Sequence, residues 1–226
     1  MFRACLFDMD GVLVDSMAHH HTSWRKTFLD KGAKIPEEEF RRDVYLREGE
    51  RAETTIKDFA VKYPLPSADS HEEILKYKRA HFQTLIPFMA ANQGMPELLN
   101  FLKSSGIKLA LVSGSARMAV EKIVKNHFDG LFDCVLTGSD VTKGKPDPLP
   151  YTTAAAKLGI DIRDCLIIEN APLGVRAGVA AGARVVGILL NSPLTDEVLV
   201  EAGACRVYKS VGALRDYLEK ELLPTT

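Results

Sequence analysis

The chain has 226 residues, 46% of them apolar, with 29 Lys plus Arg against 30 Asp plus Glu for a net charge of −1; that supports one ample domain or two small ones and excludes a short peptide or a disordered tail. The balanced charge and a pI near 6.6 argue against a general phosphate-backbone binder, so no nucleic-acid partner is expected. Arg3, Asp8 and Asp10 break the N-terminal apolar stretch and no apolar run approaches the roughly 18 residues of a membrane span, so the expectation is a soluble cytoplasmic protein with no membrane partner, acting as a monomer.

In chain order, residues 4–7 form a short apolar run that predicts a first strand. Helical periodicity then takes over from 15 to 87, with no convincing buried strand. Asp15 or Ser16 is placed to cap a helix reaching Gly32, and further helices fit 36–46, 52–63 and 70–86, with Pro64 and Pro66 punctuating the turn between the last two. Beyond Gly94 the rhythm becomes regular. Helices over 95–104, 116–127, 148–158, 172–181, 196–202 and 211–222 interleave with strands over 107–112, 134–136, 165–168 and 184–190. Short strands that are apolar on both faces and separated by helices predict an α/β, doubly wound parallel sheet. The helical stretch after the first strand reads as an insertion: a core of 1–14 plus 90–226 and an all-helical cap of 15–89. Cys5, Cys134, Cys165 and Cys205 form no C-x-x-C pair and are expected to be buried, reduced thiols.

Ligand sites of such sheets lie beyond the carboxyl ends of the strands. There the first strand ends in Asp8-Met9-Asp10-Gly11, the second in Ser113-Gly114-Ser115, the fourth in Glu169-Asn170, and Lys145 follows the third. Each alone has an ordinary reading: a turn or capping residue for Asp8, Asp10 and Ser113, a solvated loop lysine for Lys145, a helix entry for Glu169-Asn170 before Pro172. Their convergence on one edge is what points to chemistry, because capping does not select complementary types together. Asp8, Asp10, Glu169 and Asn170 offer hard oxygens of the kind Mg²⁺ takes. Lys145, Ser113 and the backbone at Gly114 can hold phosphoryl oxygens, and Asp10 can serve as acid and base if its pKa is raised.

Asp8-Met9-Asp10-Gly11-Val12, Ser113, Gly144-Lys145-Pro146 and Glu169-Asn170, in this order, resemble the four motifs of the haloacid dehalogenase superfamily. The helical insertion after the first motif is similar to the cap of its beta-phosphoglucomutase-like branch. The resemblance spans essentially the whole chain and implies a Rossmann-like core, a mobile helical cap, Mg²⁺ and an aspartyl-phosphate intermediate. It also implies roles: Asp8 as nucleophile, Asp10 as general acid/base, Ser113 and Lys145 on the transferring group, and Glu169 and Asn170 at the metal.

Two positions depart from the pattern. Asn170 stands where an Asp is usual, and Leu149 stands in place of the Asp after Lys-Pro-x-Pro, leaving Asp147 as a structural loop residue. In the helical segment, His20 and Lys78 fall where the mutases of the branch place a hinge His and a cap Lys. Glu48-Gly49-Glu50-Arg51 falls at the substrate-reading loop, but Arg51 is one residue short of the mutase position, which is Ala52. Glu48 and Glu50 would repel a bare sugar phosphate, yet suit sugar hydroxyls or a metal-coated polyanion such as Mg-pyrophosphate; they also fit a solvated charged loop. Of His19, His20 and His21, consecutive on a helix, one is expected to face inward and two to face solvent. The expected function is a Mg²⁺-dependent phosphohydrolase acting on a small phosphate metabolite, a sugar phosphate or pyrophosphate. The alternatives are a phosphosugar mutase and, from another class, a receiver-like phospho-switch.

Overall fold

The computed structural model describes residues 2–222. Six strands, β1 (Ala4–Phe7), β2 (Lys108–Val112), β3 (Cys134–Leu136), β4 (Cys165–Glu169), β5 (Arg184–Ile188) and β6 (Arg206–Tyr208), pair in parallel in the order β3-β2-β1-β4-β5-β6. The chain winds outward from β1 to β3 on one side and from β4 to β6 on the other. The crossovers therefore diverge between β1 and β4, opening the crevice where doubly wound sheets place ligands.

Alternation along the central strands builds two layers. Cys5 and Phe7 of β1, Leu109 and Leu111 of β2 and Leu166 and Ile168 of β4 face one cluster. It is covered by α5 (Met95–Ser104), α6 (Arg117–His127) and α10 (Val211–Leu222). Ala4 and Leu6, Ala110 and Val112, and Cys165 and Ile167 face the other, under α7 (Leu149–Leu158), α8 (Pro172–Ala180) and α9 (Asp196–Ala202). Both faces of the sheet are dry, as its apolar strands require.

Between β1 and α5 lie α1 (Met17–Asp30), α2 (Glu37–Leu46), α3 (Ala52–Lys62) and α4 (His71–Leu85). Helix α4 starts in a capping box, with Ser70 accepting from the Glu73 amide and Glu73 reaching back to the Ser70 amide. Its residues Ile74, Leu75, Lys78 and Phe82 then recur at helical spacing on one buried face. The four helices have a core of their own, in which Trp24, Phe28, Phe40, Phe59 and Tyr63 pack largely edge-to-face or tilted.

Strand β6 is absent from the sequence reading. Arg206-Val207-Tyr208 is a three-residue edge strand, exposed or half-buried, and too short to show an apolar run. Cys5, Cys134 and Cys165 are buried free thiols as expected, whereas Cys205 is exposed just before that edge. Among the described residues no helix is long and apolar enough to cross a membrane.

Phe28 is fully buried at the centre of the aromatic cluster. Phe28→Ala is expected to cost the helical segment about 3–5 kcal/mol, read as a lower urea midpoint; a change under about 1 kcal/mol would contradict this packing.

Candidate active site

The Asp8 amide donates to the Ile168 carbonyl at 3.0 Å, extending the β1–β4 ladder by one residue and setting Asp8 beside Glu169, the last residue of β4. Lys145, from the loop between β3 and α7, places its ammonium 2.5 Å from Asp8 Oδ1, 2.6 Å from Glu169 Oε1 and 3.3 Å from the Val112 carbonyl. All three side chains are buried. The Tyr151 hydroxyl donates to the same Glu169 oxygen at 2.6 Å, while Glu169 Oε2 accepts from the Asn170 amide at 2.9 Å. Helix α8 approaches so closely that a Cβ on Gly174 would lie 1.7 Å from Glu169 Oε1, so only glycine leaves room for this carboxylate.

Burial pushes the Asp8 carboxyl well above the usual range; Lys145 pulls it down, and Glu169 and Asp10 push it further up. Burial alone would lower Lys145, but Asp8 and Glu169 hold it well above an ordinary lysine. Glu48 is raised well above its usual value by burial, then by the charge on Asp8. One ammonium thus faces three acids, since ligand oxygens of Asp8, Glu48 and Glu169 all lie within 4.8 Å of one another. Asp8 Oδ2, Glu48 Oε2 and Asn170 Oδ1 are buried without a hydrogen-bond partner. Unsatisfied hard oxygens under excess negative charge fit a divalent cation such as Mg²⁺.

Asp10 is directed elsewhere. Its Oδ1 accepts from the Ser16 hydroxyl at 2.6 Å and lies 3.1 Å from His20 Nε2; its Oδ2 accepts from the Ser115 hydroxyl at 2.9 Å, with Ser113 Oγ at 3.5 Å. Burial alone would raise its pKa, but His20, Ser16 and Ser115 outweigh it and hold the carboxyl at about 2. The raised value that an acid role calls for is not met in this arrangement, because four polar side chains solvate the ionised form. Its carboxylate lies outside the group formed by Asp8, Glu48 and Glu169. Its backbone carbonyl accepts from Asn170 Nδ2 at 2.9 Å, so Asn170 ties the first motif to the fourth.

From Asp10 the network crosses into the helices. Lys78 Nζ lies 3.1 Å from His20 Nδ1. A lysine ammonium only donates, so Nδ1 accepts and Nε2 carries the proton toward Asp10. Burial, then the nearby Lys78 charge, lowers the His20 pKa, in keeping with a neutral ring. Lys78 is buried over the rings of Trp24 and Phe82, at 5.1 and 4.6 Å from their centroids. A cavity of about 250 Å³ lies here, with Trp24, Lys78 and Phe82 from the helices facing Gly114, Ser115 and Gly138 from the sheet edge.

The loop between α2 and α3 closes over Lys145. Gly49 has φ 79°, and a Cβ there would meet Lys145 Cδ at 2.6 Å; Gly114 in turn abuts the Gly49 carbonyl. Arg51 stands at the rim, where its guanidinium donates to the Thr142 carbonyl at 2.8 Å. His20 is the inward histidine, but His19 and His21 are half-buried rather than solvent-facing, His21 lying 3.5 Å from Glu37 and against Phe40. Asp147 accepts from the Leu149 amide at 2.9 Å, a local loop role as expected.

Three contributors escape the sequence reading. Ser16 caps α1 by position, but its hydroxyl serves Asp10 instead of the helix. Ser115 carries only the weak signal of lying two residues past Ser113. Tyr151 reads as part of the apolar face of α7, and its buried hydroxyl was the one clue, since such a group needs a partner.

A model of the haloacid dehalogenase-like hydrolase family matches residues 2–182. The chain belongs to this family. It is 30% identical over 210 residues to a phosphorylated carbohydrates phosphatase of Thermotoga maritima, covering 92% of this chain and 94% of that one. It is also 30% identical over 208 residues to beta-phosphoglucomutase of Bacillus subtilis, covering 88% of each. The crystal structure of a HAD family hydrolase from Deinococcus radiodurans with bound phosphate and sodium matches at a TM-score of 0.77 and 30% identity, covering 100% of this chain and 99% of that chain. Within the haloacid dehalogenase-like hydrolases the chain falls in the beta-phosphoglucomutase-like branch, and it is an enzyme of the phosphatase/hydrolase type.

Burial lowers Lys78 from the ordinary lysine value of 10.5 to about 8. Between these values the folded protein binds fewer protons than the unfolded chain, so this residue's contribution to stability rises as pH increases from about 8 to 10.5. The stability of the parent relative to Lys78→Met, from urea unfolding, is expected to increase over that window; a flat difference would contradict the buried, charged Lys78.

Proposed function

We propose that the protein is a divalent-cation-dependent phosphatase of a small phosphorylated metabolite, with a sugar phosphate as the leading class and pyrophosphate as the other. The observation that carries this reading is the division of Asp8: Lys145 holds Oδ1, while Oδ2 is buried and has no partner. A carboxylate fixed by one oxygen and free at the other is prepared for in-line attack on phosphorus. The printed activity of the Thermotoga maritima relative, on phosphorylated carbohydrates, and the small cavity beside the site support the substrate class.

In this reading Asp8 attacks the phosphorus, the bond to the leaving oxygen breaks, and the phosphoryl group is carried on Asp8. Lys145 and the Ser113–Gly114 segment hold its oxygens. Asp8, Glu169 and Asn170 would hold Mg²⁺, which when bound neutralises the charge of the phosphoryl oxygens. Asp10, ionised at rest, takes a proton from the water that then attacks the same phosphorus, releasing phosphate and restoring Asp8. Delivering a proton to the leaving oxygen requires Asp10 to exchange its present donors for the substrate, because those donors hold it ionised. We further propose that the helices α1–α4 act as a cap, opening for substrate and closing to exclude water.

The cap loop favours hydrolysis over mutase chemistry. A mutase needs a cation for the phosphate distal to the reaction. Arg51 is committed to Thr142, and Arg47 is paired with Asp58 at 2.6 Å and Glu50 at 3.0 Å.

Phosphate release with Mg²⁺ across sugar phosphates, pyrophosphate and nucleotides is expected to single out one small compound. Asp8→Asn should then lose on the order of 10³-fold or more and Asp10→Asn about 10²-fold, with the fold intact. Activity of Asp8→Asn within about tenfold of the parent, or sugar-phosphate isomerisation outpacing release, would overturn the reading.

A further inference from the structure

Glu48 belongs to no element of the sheet. It comes from the loop between α2 and α3, yet one of its carboxylate oxygens lies with oxygens of Asp8 and Glu169 in a group whose members are all within 4.8 Å of one another. Lys145 contacts Asp8 and Glu169 at 2.5 and 2.6 Å, and no such contact joins it to Glu48. Asp8 is wholly buried with Oδ2 unpartnered, and Glu48 Oε2 is likewise buried and unpartnered. A carboxylate oxygen left dry beside other acids, as Glu48 Oε2 is, is costly, and a hard cation held between Glu48 and the neighbouring carboxylates relieves it.

The loop is also held mechanically over the site. Gly49 packs on the aliphatic stem of Lys145, its carbonyl abuts Gly114, and Arg51 donates across to Thr142. Lifting the loop would carry Glu48 away from Asp8 and Glu169, whose ends of β1 and β4 are fixed in the sheet.

We propose that Glu48 is a ligand of the divalent cation supplied by the helical segment, so that cation binding and seating of that segment on the sheet edge are one coupled equilibrium. This rests on reading the acidic group as a cation site. Coupling is reciprocal: a cation that binds the seated form more tightly draws the loop down, and a lifted loop leaves a site one ligand short. Opening for product then loosens the cation, and the next closure tightens it.

The test is Mg²⁺ titration of the full chain by calorimetry, together with hydrogen exchange of the amides of residues 47–52 with and without Mg²⁺. In the parent, Mg²⁺ should slow exchange in that segment. Glu48→Gln should weaken Mg²⁺ binding by about tenfold or more and abolish the slowing. Glu50→Gln removes the same charge from the same loop and should keep both. Unchanged affinity in Glu48→Gln, slowing that survives a loss of affinity, or an equal loss in Glu50→Gln would overturn the proposal. Asp8→Asn and Glu169→Gln separate the two levels. If they weaken binding and Glu48→Gln does not, Glu48 alone fails as a ligand; if none of them alters binding, the cation site fails and the proposal with it.

Discussion

A single buried ammonium shared between two carboxylates organises this protein's chemistry. Lys145 joins the end of β1 to the end of β4 through Asp8 and Glu169. Removing such a group would leave two buried charges uncompensated, which costs far more than the pair contributes over an apolar replacement. Its value is therefore placement: it fixes one oxygen of Asp8 and leaves the other free. Tyr151 and the Asn170 amide hold Glu169 in turn, and Gly174 makes the space it occupies. The sheet supplies the rigidity, since Asp8 is tied to Ile168 by a ladder hydrogen bond rather than carried on a free loop.

The two aspartates of the first motif have different surroundings and so different chemistry. Asp8 meets a cation and two other acids; Asp10, two residues on, meets two serine hydroxyls and a histidine. In a regular strand residues two apart would share a face; here the strand ends at Phe7 and the chain turns at Gly11, φ 84°, which gives the two carboxylates different surroundings. Through His20, Asp10 also senses Lys78, so an aspartate of the core and a lysine of the helices form one hydrogen-bonded line. Glu48 brings the helical segment to the same sheet edge at a second point, beside Asp8 and Glu169.

The central strands and the four segments at their ends were legible because a buried parallel strand is an apolar run, and because polar residues just beyond it have one edge to occupy. Asp8, Lys145 and Glu169 meet as that reasoning expects. What depended on loop conformation was not legible. Ser16 looked like a helix cap, Ser115 and Tyr151 carried no distinct pattern, and the environment that keeps Asp10 ionised is assembled from β1, α1 and the turn after β2. The reach of Glu48 into the acidic group depends on how the α2–α3 loop sits over Lys145, which no local pattern encodes. Arg51 was placed at the right loop, but its partner, the Thr142 carbonyl, lies 91 residues away. Strand β6 was missed because an exposed three-residue edge lacks the apolar run that betrays a central strand.

In the proposed mechanism the free oxygen of Asp8 takes the phosphoryl group. Acid quenching during turnover of the preferred substrate, followed by peptide mass spectrometry, tests it most directly. A phosphoryl group is expected on Asp8 in the parent and none in Asp8→Asn. A phosphoryl group on another residue, or undiminished turnover by Asp8→Asn, would contradict it.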